Sequence, residues 1–151
     1  MRAGDRNAGR LATLVRMSKP SATGRCVCGA IQYELHGELR GILVCHCVEC
    51  RRYHGTSGAY TAVAREGLVV RDPEQQLRWF PGPTSETGGE RGFCARCGSS
   101  LLWREPGKAT TSVSAGSLDG ETGLSIARHI WDEQRADWEP LDDLPRSPRG
   151  S

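Results

Sequence analysis

The sequence has no long apolar run. No segment approaches the ~20 apolar residues that a membrane-spanning helix requires, which excludes such a helix. Near the N-terminus only residues 11–15 lean apolar, and a secretory signal needs a longer apolar stretch. We therefore expect a cytoplasmic protein in a reducing compartment, where thiols stay free for metal binding or catalysis.

The sequence also lacks an excess of charge of one sign. Twenty basic and eighteen acidic residues leave a formal net charge of +2. Two short basic clusters, at residues 51–52 and 146–149, do not form the stripe that is typical of nucleic-acid binders. No nucleic-acid partner is expected, and the sequence does not indicate an oligomeric state.

The sequence also lacks any long segment with the 3.6-residue periodicity of apolar residues that is typical of a helix. Short runs with β character and turn residues between them are present instead, at residues 30–35, 41–44, 59–64, 68–70, 77–80, 100–103, 111–115 and 124–131. Their regular spacing predicts a mostly antiparallel all-β domain. Helical turns are expected only near residues 49–54 and 132–136.

The length of 151 residues fits one domain, which is large enough to bury a core. We expect a disordered N-terminal extension at residues 1–21, a zinc-binding domain at residues 22–145 and a disordered tail at residues 146–151. Met17, which is followed by Ser-Lys-Pro-Ser, is a candidate native start.

Seven cysteines are present, an odd number that cannot pair completely in disulfides. Two glycine-closed groups stand out, Cys26-Val-Cys28-Gly29 and Cys94-Ala-Arg-Cys97-Gly98. Residues i and i+2 of a strand face the same way, so both sulfurs of the first group can reach one ion, and glycine allows the tight turn with positive φ that follows each group. Together they predict a closed site of four thiolates around zinc, which is structural because it leaves no position for a substrate.

The third cysteine group places Cys45, Cys47 and Cys50 within six residues. Three ligands and one open position are typical of catalytic zinc. Two alternatives stay open: His46 or His54 supplies a fourth ligand and closes the site, or a Cys-x-x-Cys pair performs redox chemistry, which needs a βαβ context that the sequence does not show. The adjacent Arg51 and Arg52 could offset the charge of three thiolates or hold an anionic substrate.

Three motifs are specific enough to indicate a family: Gly24-Arg-Cys-Val-Cys-Gly29, Cys45-His-Cys-Val-Glu-Cys-Arg-Arg52 with Gly55, and Phe93-Cys-Ala-Arg-Cys-Gly-Ser99 with Leu101. With them the sequence resembles the glutathione-dependent formaldehyde-activating enzyme family, also called the centromere protein V family. The likeness continues through Ala115-Gly-Ser-Leu-Asp119, His129-Ile-Trp131, Trp138 and Leu144-Pro145.

This resemblance implies a β-tent fold of the Mss4-like type with two zinc ions, one structural on Cys26, Cys28, Cys94 and Cys97, and one catalytic on Cys45, Cys47 and Cys50. It also implies a carbon–sulfur lyase that joins formaldehyde to glutathione, its co-substrate, to give S-(hydroxymethyl)glutathione. The expected substrate contacts are Arg51, Arg52 and His54. The competing interpretation is a non-catalytic interaction module in which both zinc sites are structural.

Overall fold

A computed structural model describes residues 19–83, 85 and 87–150 of the chain. Met17 and most of the expected N-terminal extension lie outside these residues. Within them the chain forms one α-helix, α1 (Val48–His54), and ten strands. The strands are β1 (Ala22–Arg25), β2 (Gln32–Leu35), β3 (Ile42–Cys45), β4 (Gly58–Ala64), β5 (Leu68–Arg71), β6 (Leu77–Pro81), β7 (Glu90–Cys94), β8 (Ser100–Arg104), β9 (Thr110–Ser114) and β10 (Ile126–Ile130).

The strands form two sheets. The small sheet has the order β1-β2-β5, and the large sheet has the order β10-β3-β4-β9-β8-β7-β6. All pairs in both sheets are antiparallel except β10 with β3, which is parallel. The prediction of a mostly antiparallel all-β fold is confirmed. In the described part of the chain no helix has the length and apolar character needed to cross a membrane.

The main core confirms the period-two pattern that predicted β2. Ile31, Tyr33 and Leu35 are fully buried and pack against buried side chains of the large sheet. Burying an apolar side chain of this size stabilises the fold by about 1.5–3 kcal/mol. Cys26 and Cys94 belong to the same core cluster, so the four-cysteine group lies where the two sheets meet.

Strands β1 and β7 were not expected from the sequence. Each is short and has a glycine in place of a buried apolar residue, so neither shows an apolar alternation. Gly24 in β1 faces a close neighbour, because a Cβ atom there would lie 2.2 Å from the hydroxyl of Tyr33. These strands form because their backbones pair with β2 and with β6 and β8.

The C-terminal residues 145–149 make backbone contacts with β10 and with the residues that follow it. The carbonyl of Pro145 accepts a hydrogen bond from the backbone N–H of His129 at 2.9 Å, and the N–H of Ser147 donates to the carbonyl of His129 at 3.0 Å. Arg146 is also paired with Asp132 at 2.7 Å. Residues 145–149 thus follow β10 as an added extended segment, because its edge offers unpaired backbone groups. The proposed domain limits at residues 22 and 145 stay a prediction.

Candidate metal centre

The first cysteine group connects two distant knuckles. The sulfurs of Cys26 and Cys28 are 3.5 Å apart, and those of Cys28 and Cys94 are 3.8 Å apart. All four sulfurs, including that of Cys97, lie within 4.8 Å of one another. Four sulfurs at about 2.3 Å from a tetrahedral zinc ion would be separated by about 3.8 Å, so the group fits zinc.

Each knuckle is closed by the glycine that the sequence predicted. Gly29 has φ of 75° and Gly98 has φ of 77°, a region that residues with a Cβ atom rarely occupy. The N–H of each glycine donates to the carbonyl of the first cysteine of its knuckle, at 3.0 Å for Cys26 and 2.7 Å for Cys94. The prediction of tight turns with positive φ is confirmed.

The second group lies where β3 runs into α1. Cys45 ends β3, Cys47 caps the helix by accepting the N–H of Cys50 on its sulfur at 3.3 Å, and Cys50 lies in the first turn. Because residues three apart share one side of a helix, the sulfurs of Cys47 and Cys50 point the same way. The three sulfurs lie within 4.8 Å of one another.

The chemistry of the three sulfurs also fits a cation. Hydrogen bonding from Cys45 and Cys50 lowers the pKa of Cys47, whereas contact with Cys47 and Cys50 raises the pKa of Cys45. Ionisation of one thiol in the group therefore opposes ionisation of its neighbours. A divalent ion removes this conflict, because coordinated thiols are deprotonated.

A buried arginine supplies positive charge to this group. In β7, Arg91 donates from Nη1 to Glu49 at 2.8 Å and from Nη2 to the sulfur of Cys50 at 3.7 Å, and it lies over the ring of Tyr53. Burial works to lower the pKa of Arg91, but the contacts with Cys50 and Glu49 outweigh it and raise this pKa. The guanidinium therefore stays charged beside the thiolates.

Neither nearby histidine joins the three cysteines. His46 uses both ring nitrogens elsewhere: Nδ1 lies 2.7 Å from a carboxylate oxygen of Glu139, and Nε2 lies 2.7 Å from Nδ1 of His129. His54 uses Nε2 in a 2.5 Å hydrogen bond with the hydroxyl of Tyr60. Within the described residues, the metal-binding group consists of the three cysteines.

The contacts of His46 belong to a longer buried chain. His129 continues it through Nε2 to a carboxylate oxygen of Asp142 at 3.0 Å. His46, His129 and Glu139 are all buried, whereas the side chain of Asp142 is 48% exposed. The chain thus runs from the buried carboxylate of Glu139 through two buried imidazoles to the half-exposed carboxylate of Asp142.

A cleft of about 820 Å³ opens beside the first cysteine group. Its lining includes Cys26 and Cys28 of that group and His54 at the end of α1. Much of the remaining lining consists of serines, namely Ser57, Ser99, Ser100, Ser114 and Ser117. Tyr60 packs against Cys45 and Cys50, so the His54–Tyr60 pair stands between this cleft and the three cysteines.

The residues expected to contact substrate are distributed unequally. His54 lines the cleft, whereas Arg51 and Arg52 do not. Arg52 is exposed on α1, and Arg51 is partly buried with Nε lacking a hydrogen-bond partner among the described residues. The structure thus brings the seven cysteines into two groups and brings one of the three expected contacts to the cleft.

Sequence reasoning missed Arg91, Tyr60 and Glu139. Arg91 and Tyr60 stand in strands where nothing in the local pattern distinguishes them from ordinary polar or core residues. Glu139 stands next to Pro140 in a segment without a helix or strand pattern, and it lies 93 positions from its partner His46. Only the tertiary pairing of strands shows that these side chains surround the cysteines.

The fold and the two cysteine groups define an all-β protein with one four-sulfur knuckle site and one three-sulfur site at a helix N-terminus. The family model described as glutathione-dependent formaldehyde-activating enzyme matches residues 21–134. This span is more than half of the chain, and the chain belongs to that family.

One match among solved structures is a crystal structure of a Rhodobacter sphaeroides protein determined as a structural genomics target. The two chains are 23% identical with a TM-score of 0.52, and the match covers 66% of this chain and 89% of that chain. At this level of identity the likeness shows the fold. No curated protein matches the chain.

Proposed function

We propose that this chain is a zinc-dependent enzyme that forms and breaks the carbon–sulfur bond between a thiol and a small aldehyde. Glutathione and formaldehyde are the first pair to test. The thiol sulfur bonds to the carbonyl carbon, the C=O π bond breaks, and the thiol hydrogen ends on the oxygen. The addition needs no oxidant or reductant, which suits a group of cysteines that binds metal.

The observation that carries the proposal is the three-sulfur group. Its members converge within 4.8 Å, and both ring nitrogens of His46 are engaged elsewhere. Zinc held there would supply one open position at which a thiol loses its proton. Membership of the formaldehyde-activating family supports the same reaction.

The residues of the chain have separate roles in this proposal. Cys45, Cys47 and Cys50 hold the ion, and Cys26, Cys28, Cys94 and Cys97 hold the structural ion. Arg91 balances the charge of the thiolates, with Glu49 fixing its orientation. The thiol substrate lies in the serine-lined cleft and approaches past His54. Arg51 and Arg52 remain candidates for the outer carboxylates of glutathione.

Burial defines the states of the two residues between cleft and cysteines. It raises the pKa of Tyr60 and lowers that of His54. A neutral hydroxyl and a neutral imidazole therefore share the 2.5 Å hydrogen bond between Tyr60 and Nε2 of His54. In this state His54 reaches the cleft as an uncharged polar side chain that can contact the substrate.

The experiment is the exchange of labelled formaldehyde with glutathione, followed by NMR against the spontaneous reaction. Zinc-loaded protein should accelerate exchange, Cys50→Ser should abolish the acceleration, and Thr56→Ser on the exposed turn after α1 should leave it unchanged. A series of other thiols and aldehydes then defines the substrate class. Equal rates with and without the zinc-loaded protein would exclude formaldehyde as the substrate.

We further propose that the protein acts in the cytoplasm on small molecules. The alternative, an interaction module with two structural zinc ions, requires a fixed fourth ligand at the second site. X-ray absorption at that site distinguishes the two: a sulfur that appears only after thiol is added favours the enzyme, and a constant nitrogen favours the module.

A further inference from the structure

We propose that Glu139 and His129 are positioning residues for the second cysteine group and act on it through His46. This inference deepens the proposed function, since it rests on a metal ion at Cys45, Cys47 and Cys50. It concerns the buried chain of carboxylate and imidazole groups that links the C-terminal segment to the loop carrying two of these cysteines.

His46 is the residue between the two ligands. In extended backbone, neighbours i and i+2 share one face and i+1 takes the other, so Cys45 and Cys47 face the metal group while His46 faces away. Three hydrogen bonds hold His46 there. Its N–H donates to the carbonyl of Ile130 at 3.0 Å, and its ring contacts Glu139 and His129 at 2.7 Å each.

A residue fixed by its backbone and by both ring nitrogens has little freedom to rotate or shift. The positions of the two flanking cysteine sulfurs depend on that backbone, because each ligand is attached directly to His46. Groups that orient the surroundings of metal ligands typically change metal affinity or activity by about 10–100-fold when they are removed.

Glu139 also connects the cysteine loop to the cleft. Its second carboxylate oxygen accepts the N–H of Ser57 at 3.3 Å, and Ser57 lines the cleft just before β4. One buried carboxylate therefore sets the position of two elements that meet at the proposed reaction site. Glu139 lies beyond residue 134, where the match to the family model ends.

The C-terminal segment that carries Glu139 is itself held in place. Arg135 donates from its guanidinium to the carbonyl of Glu139 at 2.8 Å, and His129 lies beside residues 145–147 of the added extended segment. The chain of contacts thus runs from the second cysteine group through Glu139 and His129 into the last residues that the structure describes.

The test compares Glu139→Gln with Glu133→Gln in the full chain. Both remove one glutamate charge near the C-terminus, but Glu133 is exposed and its carboxylate pairs with Arg149. Each protein is loaded with cadmium-113, and its two metal resonances are assigned with Cys50→Ser. The release of zinc from each group to a chelator is then timed.

We expect Glu139→Gln to shift the resonance of the three-cysteine group and to speed release from that group by about tenfold or more. The four-cysteine resonance should stay in place, and Glu133→Gln should match the unchanged protein in both measurements. His129→Gln, which breaks the chain from its other side, should act like Glu139→Gln and serves as the second variant if the first does not fold.

Two results would overturn the inference: an unaltered three-cysteine resonance and release rate, or equal changes at both metal groups, which would indicate general loss of stability. Turnover is not the readout, so this test can succeed in a chain that proves inactive on formaldehyde. A failure here, with formaldehyde exchange intact, would leave the proposed function standing.

Discussion

Replacing Arg91 with methionine tests whether a buried cation supports the second cysteine group. The side chain of Arg91 is 5% exposed and that of its partner Glu49 is 19% exposed. Removing one member of a buried ion pair costs about 3–5 kcal/mol. Water reaches part of Glu49, so we expect a loss at the lower end, about 3 kcal/mol of unfolding free energy.

The effect on metal binding is separate. Nη2 of Arg91 lies 3.7 Å from the sulfur of Cys50, a separation at which the guanidinium and a thiolate attract by about 4 kcal/mol at an effective dielectric constant near 20. The bound divalent ion repels the guanidinium and offsets part of this attraction, but three thiolates around one such ion keep a net negative charge, so without Arg91 the affinity for the second metal should fall by about 2 kcal/mol, or roughly thirtyfold.

Urea unfolding gives the stability, and competition with a chelator gives the affinity of the second metal. Glu49→Gln removes the opposing charge and should bind that metal at least as tightly as the unchanged protein. The double variant should fall between the two single variants, and Arg71→Met, which breaks an exposed pair with Glu34, should change neither quantity by more than about 1 kcal/mol. If Arg91→Met binds the second metal with unchanged affinity, the electrostatic reasoning is refuted.

Three further predictions concern the rest of the molecule. Cys26→Ala should bind one metal instead of two and should lose the cooperative thermal transition in circular dichroism. The reason is that a structural zinc site contributes on the order of 10 kcal/mol to folding, which is as much as the net stability of a whole domain. A variant that stays folded with one metal would contradict the structural role of that site. Gly24→Ala should lower the unfolding free energy by about 1–3 kcal/mol, since the added Cβ would overlap Tyr33. The control Gly116→Ala should be neutral, because a Cβ there meets nothing within 4 Å. Equal effects of the two substitutions in urea unfolding would count against the close packing of Gly24 on Tyr33. Burial favours a higher pKa for Glu139, but hydrogen bonds from His46 and Ser57 outweigh burial and lower this pKa below its usual 4.5. The unchanged protein should therefore be more stable than Glu139→Gln at neutral pH, and this difference should disappear as the pH falls below 4.5. A stability difference that persists in acid would disprove the assignment.

The cysteine groups were predictable because each depends on local chain geometry. The spacing of Cys26 and Cys28 within extended chain, and the glycines that close both knuckles, determine where the sulfurs point. The pairing of the two knuckles follows from the number of ligands that zinc requires. The alternating pattern around Tyr33 likewise predicts a strand without reference to its neighbours.

The surroundings of the second group were not predictable because they depend on strand order. Strand β7 lies four positions from β3 in the large sheet, so the contact of Arg91 with Cys50 depends on the tertiary fold and not on a local pattern. His129 reaches His46 because β10 pairs in parallel with β3, an exception to the antiparallel rule that periodicity cannot show. Glu139 has no local pattern that distinguishes it from other acidic residues of the C-terminal segment.

The four-cysteine knuckle site also sets an order of events during synthesis. Cys28 and Cys94 are 66 positions apart, and closing a loop of that length costs about 4 kcal/mol of chain entropy. The first knuckle leaves the ribosome long before its partner does, so the core around Tyr33, which includes Cys94 of β7, cannot close until β7 has been made. If zinc is the ion at this site, as proposed, a shortage of zinc would leave full-length chains with this core open, and the exposed strands of such chains are substrates for chaperones and proteases.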